Sequence, residues 1–194
     1  RGPRFGAMAG TDGDLYKNIK EQRYLIKNEL LGKIFLIDDE LETLEWKMGT
    51  ESRKIGNYTA FKATATKTIK RPNMSAIFRR PGRGGQDNEE KEKEAEFTIK
   101  EVEIVAWYTP EIPINQGPGL YWGLPGLILA VNDDITTIVC SEITMNPSEK
   151  MEIKAPSKGK KVSQAEYDEI SQEKMKEMRE NFRNRGGRGG GRPN

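Results

Sequence analysis

Short apolar runs, separated by turn-forming residues, most strongly constrain the fold of this chain. Residues 34–37 form one continuous apolar run, and Leu44, Trp46 and Met48 alternate with charged residues shortly afterwards. Runs of this length with a period of two indicate β-strands, whereas an amphipathic helix needs a period near 3.6 over a longer window. We therefore expect a mainly β protein of the α+β kind.

Four further strands are predicted, at residues 58–67, 102–109, 127–131 and 135–145. The last two would form a hairpin around Asn132-Asp133-Asp134, because aspartate and asparagine favour turns. For the same reason we expect Asp38-Asp39 to end the run at 34–37, and Gly49-Thr50 to turn the chain after Met48. Short strands at this spacing predict an antiparallel meander in one curved sheet.

One helix is predicted near the C-terminus. Ser163 and Glu166 have the spacing of a capping box, in which the serine hydroxyl and the glutamate carboxylate bind each other's free backbone amides. A narrow apolar stripe follows at helical spacing and contains Tyr167, Ile170, Met175, Met178 and Phe182. We expect a helix over residues 163–182 whose stripe lies against the sheet or a partner.

Three stretches lack apolar periodicity. We expect a disordered lead-in at residues 1–14, a mobile insertion at 79–96 and a flexible Gly/Arg-rich tail at 183–194. The low apolar content of 35% fits a chain of which part is not packed. Residues 15–160 are then expected to form one antiparallel β domain.

The side chains that most enzymes use are scarce. There is no histidine, which removes Ser–His–Asp and Cys–His catalysis, and the single cysteine, Cys140, excludes an internal disulfide and a cysteine-cluster zinc site. Cys140 lies in an apolar run, where we expect a small buried side chain. The acidic groups Asp38-Asp39-Glu40 and Asp133-Asp134 lack metal-loop spacing and are interpreted as turns. We expect no catalytic residue, no metal and no cofactor.

The charge balance gives no global attraction to nucleic acid or membrane, because 32 basic residues face 30 acidic ones. No stretch approaches the roughly 18 apolar residues of a membrane span, so no transmembrane segment is predicted. The tail arginines Arg185, Arg188 and Arg192 could bind anions. An envelope or partner surface, a solvated tail and RNA remain open, with nucleic acid the least favoured.

The most distinctive segment begins at Trp107-Tyr108 and ends in the hexapeptide Gly123-Leu124-Pro125-Gly126-Leu127-Ile128. Proline presets φ at the second position of a type II turn and glycine supplies the third, so residues 124–127 predict such a turn leading into a buried strand. We interpret the hexapeptide as mainly architectural. If the segment also lines a site, the best contact candidates are Trp107, Tyr108, Tyr121 and Trp122, since aromatic side chains often anchor recognition.

These residues resemble the GLPGLI family of exported Bacteroidota proteins, whose name is the hexapeptide at 123–128. Trp46, Ile55-Gly56-Asn57-Tyr58 and Glu111-Ile112-Pro113 accompany it in order, and the resemblance covers roughly residues 34–145. It implies a curved antiparallel sheet, export to the periplasm and association with the outer membrane, but no activity. A half-barrel like that of lipoprotein carriers is a fold analogy. We also expect further residues of the family's earlier β segment before Arg1.

Three functions remain open. The first is a non-catalytic subunit that binds, through helix and tail, an outer-membrane β-barrel such as a TonB-dependent receptor, or another periplasmic complex. The second is a periplasmic carrier that holds a lipid or other apolar ligand on the concave face of the sheet. The third, and least favoured, is RNA binding through the Gly/Arg tail.

Overall fold

The computed structural model describes residues 14–72, 97–134, 136–149 and 152–186. This part of the chain contains nine strands and one helix, so the fold is mainly β with a C-terminal helix, as predicted. The chain divides into two compact units: unit 1 is Arg1–Glu42 with Asn146–Asn194, and unit 2 is Thr43–Met145. The described strands lie in two sheets, of four and five strands, rather than in the single sheet expected.

Unit 1 contains β1 (Asp14–Asn18), β2 (Arg23–Leu30), β3 (Lys33–Glu40) and β9 (Lys160–Val162), side by side in that order. The first three strands are antiparallel, and β9 pairs parallel with β3. Sequence reasoning did not find β1 or β2. In β2 the consecutive residues Tyr24, Leu25 and Ile26 are all buried, so that strand has no alternation of apolar and polar residues to reveal it.

The helix of unit 1, α1 (Gln164–Gly186), begins where the capping box predicts. Ser163 N donates to Glu166 Oε2 at 2.7 Å, and Glu166 N donates to Ser163 Oγ at 3.2 Å. A third bond, from Gln164 N to Asp39 Oδ2 at 2.8 Å, ties the helix start to β3. The helix continues past the predicted end at Phe182. Its first turn is therefore tied to the sheet by a hydrogen bond.

Unit 2 is an antiparallel meander of β4 (Lys47–Ile55), β5 (Tyr58–Pro72), β6 (Phe97–Thr109), β7 (Leu127–Asn132) and β8 (Thr137–Val139). Alternate residues of β5 and β6 point to one face, here called the core face, and a register shift between β6 and β7 brings Ile128 and Val131 of β7 to the same face. The buried cluster on this face contains Ala63, Ile104, Ala106, Leu124, Ile128 and Val131. On β6, which contains the strand predicted at 102–109, Val102, Ile104 and Ala106 are all buried.

Two predicted turns are wrong. Asp38-Asp39 lies inside β3, because the Asp38 carboxylate is paired with cations rather than used to turn the chain. Gly49-Thr50 lies inside β4, where the pairing register shifts between Met48 and Ser52. Such a bulge bends a strand without ending it, which accounts for the turn-like residues there.

Two predicted strands also differ from the structure. Leu44 and Trp46 alternate with charged residues, but β4 begins only at Lys47. Both side chains pack against the core cluster from an irregular segment, which produces the same alternation as a strand. The strand predicted over 135–145 is reduced to Thr137–Val139, although the hairpin with β7 is present.

The predicted lead-in, insertion and tail fall largely outside the described residues. Of the lead-in only Asp14 is described, at the start of β1, and the insertion at 79–96 is not described at all. Residues 183–186, expected in the flexible tail, continue α1.

Candidate functional site

Trp122, one of the four aromatic contact candidates, is buried in unit 2, with 8% of its surface exposed. Its backbone carbonyl accepts a 2.8 Å hydrogen bond from the indole Nε1 of Trp46, which packs against the core cluster. Gly123 follows with φ +94°, and a Cβ there would lie 3.8 Å from the same indole nitrogen. This pair of tryptophans therefore holds the Gly/Pro-rich segment on the core face.

The predicted type II turn at residues 124–127 is wrong. Gly126 N donates to Leu124 O at 2.8 Å, which closes a three-residue turn centred on Pro125. Leu127 N instead donates to Ile112 O at 2.9 Å. This second bond pulls the hexapeptide toward the segment after β6, so tertiary pairing replaces the local turn bond.

The glycines of this segment allow close approach. A Cβ on Gly126 would collide with the carbonyl oxygen of Thr109 and lie 2.6 Å from its carbon. A Cβ on Gly117 would lie 2.7 Å from Cδ1 of Ile128. Each glycine therefore meets another part of unit 2 where even a methyl group does not fit.

Tyr108 and Tyr121 lie on the core face and are half-buried against its cluster. The ring centroid of Tyr108 is 6.3 Å from that of Phe61 on β5. The hydroxyl of Tyr121 lies 3.0 Å from Asp133 Oδ2 and donates to it, next to the β7–β8 turn. Both tyrosines thus take part in packing that joins elements of unit 2.

Trp107 lies on the opposite face, because neighbouring residues of a strand point to opposite sides of the sheet. The guanidinium carbon of Arg53 is 4.1 Å from the centroid of its ring, a cation–π contact. On the same face Lys62 Nζ forms a 2.6 Å ion pair with Glu51 Oε1. Structure therefore separates Trp107 from the other three aromatic candidates and groups it with charged residues of β4.

The helix candidates have different surroundings along α1. Tyr167 is buried and meets Phe35 edge-on, with ring centroids 5.6 Å apart. Met175 is half-buried, and Met178 is 42% exposed. The stripe thus becomes more exposed toward the C-terminus.

The remaining helix and tail candidates lie at the margin of the described structure. Phe182 and Arg185 belong to the helical backbone, but their side chains lie outside the described part. Arg188 and Arg192 lie outside it altogether.

Unit 1 has an open groove of about 350 Å³ that sequence reasoning missed. It lies between β1–β2 and residues 153–158, and its lining includes Leu15, Tyr16, Lys27, Ile153, Lys154 and Lys158. Lys27 pairs loosely with Asp14 at 3.8 Å, and Ile153 is 82% exposed. Residues 153–158 have no apolar periodicity, so no sequence signal pointed to this amphipathic surface.

Among the described carboxylates, Asp38 forms ion pairs with two cations. Its side chain is 8% exposed and accepts two 2.6 Å bonds from Arg23 and a 2.5 Å contact from Lys161 Nζ. The bonds from Arg23, together with Lys161, lower the pKa of Asp38 to about 2. A carboxylate held ionised by two cations is a poor proton acceptor near neutral pH, so this cluster is structural.

Cys140 is half-buried rather than buried as expected. Its thiol donates to Glu142 O at 3.4 Å, and its amide donates to Leu129 O at 2.7 Å. The side chain lies just after β8, an edge strand of three residues, which explains the incomplete burial.

The described residues also bear on metal binding and on membrane spanning. They contain no cluster of three or more cysteine or acidic side chains suited to a metal ion. No helix among them is long and apolar enough to cross a membrane.

Part of the chain matches a protein-family model. Residues 46–130 match the model of a family described as a protein of unknown function, Porph_ging. The matched range lies within unit 2, begins at Trp46 and includes the hexapeptide. Comparisons with curated proteins and with solved structures gave no match.

Proposed function

We propose that this protein is an exported, non-catalytic subunit that binds an outer-membrane β-barrel, or another envelope complex, from the periplasmic side. The proposal takes the matched family to be the GLPGLI family of Bacteroidota. It is supported by the position of Gly123–Ile128 inside the matched range 46–130. Export and periplasmic location follow from that resemblance.

The observation that carries the binding role is the graded exposure of the stripe on α1. The start of the helix is fixed by the bond from Ser163 N to Glu166, by the bond from Gln164 N to Asp39, and by the packing of Tyr167. Further along, Met175 is half-buried and Met178 is 42% exposed. Flexible methionine side chains adapt to varied apolar grooves, and a partner would bury this end of the stripe.

The test is affinity purification of the tagged protein from detergent-solubilised envelope, with nuclease treatment and mass spectrometry. We expect stoichiometric recovery of a β-barrel protein that nuclease does not change. Met178→Glu should reduce this recovery about tenfold, since a charge would be buried in the contact. Met145→Glu is the matched control, because Met145 is 56% exposed and lies outside the helix. Recovery of the protein alone would contradict the proposal.

A second candidate function, carriage of an apolar ligand, is favoured by the groove of unit 1. Its lining combines Leu15 and Ile153 with Lys154 and Lys158, a composition suited to an acyl chain that ends in an anionic group. Acyl lipid should then co-purify with the protein, and Ile153→Asp should remove it. Leu31→Asp, at a residue 60% exposed outside the groove, should not. Purified protein without lipid would count against carriage.

A further inference from the structure

We propose that two copies of this chain pair through β4, so that their five-stranded sheets join across a two-fold axis at Ser52. The proposal is independent of the helix-mediated binding described above. It rests on the exposure, the hydrogen-bonding pattern and the charges of β4.

β4 is the first strand of its sheet, and in the described part of the chain only β5 pairs with it. Residues Lys47 through Lys54 are all exposed, and Ile55 is half-buried. Edge strands present unpaired N–H and C=O groups that another strand can bind. An antiparallel copy of the same strand is a self-complementary partner of the kind that two-fold dimers use.

The hairpin after β4 determines which backbone groups face outward. Ile55 and Tyr58 flank the two-residue turn Gly56-Asn57 and form its hydrogen-bonded pair. Bonded and non-bonded pairs alternate, so Arg53 is the next residue whose N–H and C=O point toward β5. Ser52 and Lys54 therefore direct their backbone groups away from the sheet. A two-fold axis at Ser52 lets the two Ser52 residues exchange both bonds.

The side-chain charges favour the same register. With the axis at Ser52, Glu51 of one copy lies opposite Arg53 of the other, and the contact occurs twice. Axes at Glu51, Arg53 or Lys54 would each place a residue opposite its own like charge, which destabilises cross-strand pairs. Charge complementarity therefore selects Ser52 among the neighbouring registers.

Contacts within each chain already orient the side chains of Glu51 and Arg53 before two copies pair. Glu51 is bonded to Lys62 at 2.6 Å, and Arg53 lies 4.1 Å from the ring centroid of Trp107, both on the same sheet face. Pairing would extend each contact into a row of Trp107, Arg53, Glu51 and Lys62 that crosses from one copy to the other. Trp107 thereby acquires a role as a support for an interface residue.

The competing view is that the bulge and lysines of β4 protect the edge against pairing. Sedimentation equilibrium distinguishes the two views. At about 100 μM, a concentration at which even micromolar complexes form, we expect twice the 22.0 kDa mass of one chain. A chain that remains monomeric there would overturn the proposal.

Charge reversal tests the register. Glu51→Arg and Arg53→Glu should each weaken self-association by about tenfold or more, since both symmetric contacts become like-charged. When the two variants are mixed, every contact again joins Arg to Glu, so a heterodimer should form. Lys33→Glu is the control, an equal charge change at an exposed residue of unit 1, and should leave the dimer intact. Dimers that survive both reversals, or variants that do not pair when mixed, would refute this interface.

Cross-linking tests the axis independently of charge. Directly opposed Cα atoms in a bonded antiparallel pair are about 5.5 Å apart, within reach of a disulfide. In a Cys140→Ser background, Ser52→Cys should form a covalent dimer under mild oxidation, and Lys33→Cys should not. Absence of a cross-link at Ser52 would rule out the axis there.

Discussion

At the scale of single residues, Gly126 lies directly against the backbone of Thr109. Two hydrogen bonds, from Gly126 N to Leu124 O and from Leu127 N to Ile112 O, hold the segment in this position. Glycine is therefore required at this position because two chain segments approach closely. The turn-forming preference of glycine does not explain the requirement.

We predict that Gly126→Ala destabilises unit 2 by about 3 kcal/mol or more, because its Cβ would overlap the Thr109 backbone. Gly119→Ala is the matched control: φ is +55° there and nothing lies within 4 Å of the added Cβ, so strain of about 1 kcal/mol is expected. Urea unfolding of both variants measures the difference. Equal losses would show that the overlap is relieved at little cost.

The ion pairs of Asp38 predict a loss of stability in acid. The pKa of Asp38 lies below its ordinary 3.8, at about 2, so its contribution to stability is complete above the unfolded-state pKa and is lost as pH falls. Between roughly pH 5 and pH 2 we expect Asp38 to account for a loss of about 1 kcal/mol, because Arg23 and Lys161 are exposed enough for solvent to screen both ion pairs.

The measurement is the free energy of unfolding against pH for the wild type and Asp38→Asn. The variant should lack that part of the acid dependence. Asp14→Asn, at a side chain 81% exposed, serves as control and should keep it. An unchanged acid profile in Asp38→Asn would show that the ion cluster contributes nothing to pH dependence.

At the scale of elements, α1 depends on its first turn. Ser163 and Glu166 satisfy each other's amides, and Asp39 of β3 accepts the amide of Gln164. The same few atoms that start the helix therefore also join it to the sheet.

Ser163→Ala should cost about 1 kcal/mol, the usual value of an N-cap hydroxyl. The bond from Gln164 to Asp39 does not involve the hydroxyl, so the helix should still form. Circular dichroism during thermal unfolding measures the change, with Ser157→Ala, at an exposed residue outside the helix, as control. Equal stability of the two variants would show that the cap contributes little.

At the scale of the whole molecule, two sheets give two cores. Ile37 is almost fully buried in unit 1, and Ile104 and Val131 are almost fully buried in unit 2. In unit 2 the central strand β6 has a partner on each side, whereas β8 is a short edge strand.

Hydrogen exchange should reproduce this arrangement. Amides of β6, and of β2 and β3 in unit 1, should exchange at least about 100-fold more slowly than those of β8, because inner strands open only in larger unfolding events. Mass spectrometry of exchanged peptides provides the measurement. Uniform protection across both sheets would indicate that each strand opens only in global unfolding.

Sequence patterns predicted the structure correctly where interactions within one element determine it. The capping box at Ser163 and Glu166 and the strand at 102–109 were each predicted from a local pattern, and both are present. Such patterns were insufficient where a strand is covered on both faces, as in β2, or where a coil segment packs like a strand, as at Leu44 and Trp46. The groove and the contact of Arg53 with Trp107 join residues far apart in sequence, so no local sequence pattern predicts them.

Composition and local periodicity thus account for the mainly β class and the start of α1. These properties depend on composition and on side-chain periods within one element. The division into two sheets, the tertiary bond that replaces the predicted turn at Pro125, and the separation of Trp107 from Trp122 depend on pairing between distant strands. The reason is that each buried backbone amide must form a hydrogen bond. The tertiary structure decides which carbonyl lies close enough to accept it, and that carbonyl is often distant in sequence.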